Sequence, residues 1–115
     1  MRLEEVRFAH ESERRLAELF DFYSIDWEYE PVEFALDWAG DGTVTMAFRP
    51  DFYLAELDLY IELTTLRQAL VTRKNRKVRR MRELYPEVPI CIVYQRDFAS
   101  LLASHGLPLV TAGAA

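Results

Sequence analysis

Apolar positions recur along the chain with two different periods, and each regular stretch predicts one element. Leu16, Leu19, Phe20 and Tyr23 repeat at helical intervals, with Arg14, Arg15, Glu18 and Asp21 between them, so an amphipathic helix is expected from Ser12 to Tyr23. Trp27 to Leu36 is rich in aromatic and branched residues, as strands are, and Asp41-Gly42 marks a hairpin turn into a second strand from Thr43 to Phe48. From Leu57 to Thr64 the alternation is strict: Leu57, Leu59, Ile61 and Leu63 share one face, and Asp58, Tyr60, Glu62 and Thr64 the other. Arg73 to Tyr85 reads as a second helix whose stripe is Val78, Met81 and Tyr85, stopped by Pro86. Ile90 to Tyr94 is apolar at every position, as an interior strand covered on both sides would be. A helix-bearing link joins the third strand to this one, which makes the two parallel neighbours. Asp97 can cap a last helix, Phe98 to His105, closed by Gly106. The order α-β-β-β-α-β-α describes an α/β domain with a mixed sheet and helices packed on it.

Composition narrows this to one domain. At 115 residues, 50% hydrophobic and 29% charged, the chain can bury a core without disulfides or a structural metal, and intrinsic disorder is excluded. The domain is expected over 1–111, followed by an Ala/Gly tail at Ala112 to Ala115 that should fray. Cys91 is the single cysteine and lies in an apolar strand, which suits a reducing cytoplasm and rules out an intrachain disulfide. No apolar run approaches a membrane span, and Glu4 and Glu5 stand where a signal peptide would be apolar. The net charge of -5 conceals a partition: Arg67 to Arg82 contains eight basic residues and no acidic one, leaving six basic against 19 acidic groups elsewhere. That strip either attracts phosphates in one docking orientation or is simply a solvated helix face.

Several chemistries are absent. The four glycines form neither a dinucleotide fingerprint nor a phosphate loop, and His10 and His105 have no partners at zinc spacing. No serine occupies a nucleophile elbow, and Cys91 lacks an activating neighbour. Three carboxylates, however, disturb the amphipathic pattern. Glu13 falls on the apolar stripe of the first helix, although a favourable position in the first turn would also explain it. Asp51 follows Pro50 at a strand end, where turn chemistry alone would suffice. Glu62 lies inside a strand, where glutamate is disfavoured unless that face is wet.

The segment Pro50-Asp51-Phe52-Tyr53, followed by Tyr60-Ile61-Glu62-Leu63-Thr64 on a strand and preceded by a helix carrying Ser12-Glu13, resembles the PD-(D/E)XK, or restriction endonuclease-like, nuclease superfamily. The αβββαβ order is similar to that superfamily's core. Trp27-Glu28-Tyr29-Glu30-Pro31, Pro50-Asp51-Phe52 and Arg82-Glu83-Leu84-Tyr85-Pro86-Glu87 further resemble phage junction-resolving endonucleases, and transposase cleaving subunits are similar in pattern. The resemblance implies that Glu13, Asp51 and Glu62 bind magnesium together with the Leu63 carbonyl, with manganese able to substitute. Converging carboxylates repel one another, so at least one pKa should rise in the absence of a hard cation.

One departure stands out: the superfamily places lysine two residues after the strand glutamate, and here that position is Thr64, a neutral donor. Either another cation substitutes or catalysis is weak or absent. Lys74 lies on the sheet-facing stripe of the second helix, four residues before Val78, and is the candidate substitute; Lys77 reads better as part of the solvated strip. Phosphate contacts are expected from Arg73, Arg76, Lys77, Arg79 and Arg80, and a strip of this kind reads backbone and shape rather than bases. The expectation is therefore a homodimeric magnesium-dependent endonuclease cutting branched or duplex DNA by structure. The alternative is a catalytically weak or inactive nuclease-fold module that binds nucleic acid or a protein partner.

Overall fold

The computed structural model describes residues 1–64, 68–94 and Asp97, with backbone only for 68–71. The described residues are α/β, with a mixed sheet and two α-helices. Helix α1 spans Glu11–Phe22 and buries Glu13, Leu16, Ala17 and Phe20 along one stripe. Ser24, in the left-handed region at φ 57°, turns the chain out of the helix. The indole of Trp27 then donates to Asp21 at 2.8 Å and locks that exit.

The aromatic stretch expected as one strand is split into β1, Glu28–Tyr29, and β2, Phe34–Trp38. Between them Glu30 adopts φ 47° and precedes Pro31, whose ring cannot donate a ladder hydrogen bond, so the extended run breaks there. β2 pairs with β3, Val44–Phe48, as a separate two-stranded sheet. Asp41-Gly42 forms the expected turn: Gly42 takes φ 91°, and the Asp41 carboxylate accepts from the Thr43 N–H at 2.9 Å.

A short strand that the sequence pattern did not reveal, β4 at Phe52–Leu54, follows Pro50-Asp51. It pairs antiparallel with β1 on one side and with β5, Leu59–Thr64, on the other. β6, Ile90–Tyr94, lies parallel beside β5, as the crossover required. The main sheet therefore runs β1-β4-β5-β6. The crossover helix α2 spans Gln68–Leu84, starting earlier than its apolar stripe suggested. The expected helix over Phe98–His105 and the tail at 112–115 lie outside the described residues.

Two apolar clusters cover the two faces of this sheet. Leu16, Ala17 and Phe20 of α1 pack with Trp27, Phe52, Leu54, Ile61, Leu63 and Val93. Phe52 is at its centre, with the rings of Phe8, Phe20, Trp27 and Tyr29 all within 6.3 Å. On the opposite face Val78 and Met81 of α2 pack with Leu36, Phe48 and Ile90. β6 serves both clusters through alternate residues, which explains its uninterrupted apolarity.

Candidate functional site: a buried carboxylate pair beside a lysine

The alternation of β5 sends Ile61 and Leu63 into the aromatic cluster, so Glu62 and Thr64 turn towards α2. Both are buried, Glu62 at 5% exposure and Thr64 at 1%, and Glu13 and Asp51 join them at 6% and 7%. Burial on this scale is uncommon for carboxylates and requires partners. Asp51 sits at the mouth of β4, and the β4–β5 pairing brings it against the far end of β5. There its Oδ2 accepts from the Leu63 N–H at 2.8 Å, while its own N–H donates to Glu62 Oε1 at 3.2 Å. The two carboxylates are thereby tied to opposite strands, Glu62 to the Asp51 N–H and Asp51 to the Leu63 N–H.

Lys74 supplies the positive charge. From the sheet-facing side of α2 its ammonium stands 3.2 Å from Glu62 Oε2 and donates to the Leu63 carbonyl at 2.5 Å. One cation thus bridges a carboxylate and a main-chain oxygen. Burial pushes the Asp51 carboxyl up to about 8, helped by the negative charges of Glu62 and Glu13. Burial also raises Glu62, against the opposing pull of Lys74. The Thr64 hydroxyl is buried with no hydrogen-bond partner among the described residues.

Glu13 is held differently. Its Oε1 accepts from the Tyr29 hydroxyl at 2.5 Å and from the Ala9 N–H at 3.2 Å. Burial and the Glu13 contact both raise the Tyr29 pKa. Glu13 is close enough for Asp51 to feel its charge, yet among the described residues no three acidic, histidine or cysteine side chains gather tightly enough to hold a metal ion. What the structure brings together is Asp51, Glu62, Leu63, Thr64 and Lys74, with Glu13 alongside. The oxygen set of Asp51, Glu62 and the Leu63 carbonyl does fit a hard cation: the Lys74 ammonium already takes two of those oxygens, and magnesium is commonly held by one or two carboxylates with water completing its shell.

The basic strip is less uniform than its composition suggests. Lys77 donates to Ala47 O at 3.0 Å, Arg80 to Leu36 O at 3.1 Å and Arg82 to Ile90 O at 2.9 Å. These contacts lash α2 to the hairpin and to β6, so part of the strip is structural. Arg73, Arg76 and Arg79 are exposed. Arg49, which the sequence reading missed, joins Arg73, Lys74 and Lys77 around a cleft at Glu62. Its only sequence signal was a cation directly before Pro50-Asp51.

Among the described residues no helix is long and apolar enough to cross a membrane. Compared with models of known protein families, with curated proteins and with solved structures, the chain matches none.

Proposed function

We propose that the chain is a magnesium-dependent endonuclease that hydrolyses DNA phosphodiester bonds, with a restriction endonuclease-like core and selectivity for branched structure over base sequence. The observation that carries this reading is the cation bridge: a buried carboxylate and a strand carbonyl converge on one positive charge, beside a second carboxylate whose proton affinity is raised by burial and by its neighbours. Such a site stabilises added positive charge.

Magnesium bound there, with manganese as a substitute, would activate water and offset charge growing on the phosphoryl oxygens. Asp51, Glu62 and the Leu63 carbonyl would hold the ion. Lys74 would take the role of the lysine that Thr64 replaces: displaced from Glu62 and the Leu63 carbonyl by the metal, its ammonium would remain beside the seat and offset charge growing on the phosphoryl oxygens. Thr64 contributes a neutral donor, and Tyr29 fixes Glu13 beside Asp51. Arg73 and Arg76 hold the backbone from the exposed side of α2. A homodimer would present two such sites to a junction or duplex.

Labelled four-way and linear DNA, incubated with magnesium and either wild type or Asp51→Ala, tests the reading. Cleavage requiring both the metal and Asp51 is expected. A second reading, a nucleic-acid-binding module without cleavage, is favoured by the absence of a tight three-carboxylate group among the described residues and by Thr64. Binding without cleavage would establish it.

A further inference from the structure

The two sides of α2 offer different chemistry. On one, Arg79 and Arg82 open with Asn75 and Glu83 beside Ile92. On the other, Arg73, Lys74 and Lys77 meet Phe48 and Arg49 at the end of β3, together with Glu62, around a cleft of about 270 Å³. Four cations and one carboxylate line this cleft, and the carboxylate is already engaged by Lys74. Arg49 is paired with Glu33 at 2.9 Å, but both side chains are half exposed, so that pair holds Arg49 only weakly. Lys77 is anchored through the Ala47 carbonyl, which fixes its charge beside Arg49.

We propose that this cleft is a seat for a single nucleotide phosphate, with Arg49 from the hairpin and Arg73 from α2 as opposed clamps and Lys77 as a fixed charge at its side. The proposal rests on the nuclease reading for its substrate and deepens it, since the seat borders Glu62 and Lys74 and so places one phosphate beside that ion pair. Guanidinium groups bind phosphate oxygens through paired N–H donors, and two reaching from separate elements grip from different directions. The cleft has room for one phosphate with its sugar. Arg79 and Arg82, on the opposite side of the helix, take no part in the seat.

The test is calorimetric titration of the full chain with 5′-phosphorylated thymidine dinucleotide in EDTA, so that no metal contributes. Wild type is expected to bind, and Arg49→Ala and Arg73→Ala to bind about tenfold more weakly, the loss of one charge-assisted contact. Arg15→Ala, which removes an exposed charge of α1 that does not line the cleft, should stay within about twofold of wild type, because an exposed charge outside the contact shell is screened by solvent and salt. Failure of wild type to bind, or Arg49→Ala binding as wild type does, would overturn the seat. So would equal weakening by Arg15→Ala, which would show diffuse attraction only. A parallel cleavage assay with magnesium separates the two readings: dinucleotide binding without cleavage removes the nuclease and keeps the seat, and cleavage without dinucleotide binding does the reverse.

Discussion

The two faces of β5 are built from one alternating segment and do opposite things. Ile61 and Leu63 enter an apolar cluster in which every neighbour is hydrophobic or aromatic. Glu62 and Thr64, one residue away, are equally buried on a face where charge is held in place by backbone N–H groups and one ammonium. The first face gains free energy by excluding water, whereas the second pays desolvation and recovers only part of it through pairing. A charged cluster set that way into an otherwise apolar face contributes little to stability, and buried charge of this kind is the feature on which the proposed function rests.

The largest expected effect lies on the apolar face. Phe52→Ala removes a fully buried ring at the centre of four aromatic contacts and should cost about 3–5 kcal/mol, measured by urea unfolding. The acidic face should respond with the opposite sign. Replacing the pair together, Glu62→Leu with Lys74→Met, should leave stability unchanged or raise it by about 1–4 kcal/mol while abolishing cleavage. A loss comparable to Phe52→Ala would erase the contrast between the faces.

The pH dependence sharpens the comparison further. Asp51 titrates near 8 when folded, whereas an unfolded aspartate titrates near its ordinary value of about 3.9. Between those limits the folded chain binds the extra proton, so the contribution of this group is complete at low pH and is lost as pH rises towards 8. Chemical denaturation from pH 5 to 8 should therefore show falling stability, and Asp51→Asn should flatten the fall. The smallest effect is expected at Thr64, whose buried hydroxyl lacks a partner among the described residues: Thr64→Val should stabilise by about 1 kcal/mol, a shift of a few degrees in Tm.

Much of this was legible in the sequence. The helical stripe of α1, the Asp41-Gly42 turn, the alternation of β5 and the two-sided apolarity of β6 all follow from local periodicity, and the parallel pairing of β5 with β6 follows from the crossover. Glu62 announced itself because it violated its strand. β4 did not, because three residues after a proline are too few to display a period. The break at Glu30 depended on a backbone angle that aromatic content masks. Lys74 was readable as a sheet-facing residue, but its seat on the Leu63 carbonyl depends on the rotation of α2 over β5. Arg49 shares the Glu62 cleft with residues of α2, and Tyr29 bonds to Glu13 of α1, groups distant in sequence whose placement no local pattern encodes.

On the proposed reading Asp51, Glu62 and the Leu63 carbonyl form a seat for a divalent cation, and the Lys74 ammonium now takes two of its oxygens, on Glu62 and Leu63. Calorimetric titration with manganese tests it most directly. The account predicts one site per chain in wild type, at least tenfold weaker in Asp51→Asn and tighter in Lys74→Gln, where the competing charge is gone. Absence of heat in all three proteins, or identical affinity in wild type and Asp51→Asn, would contradict it.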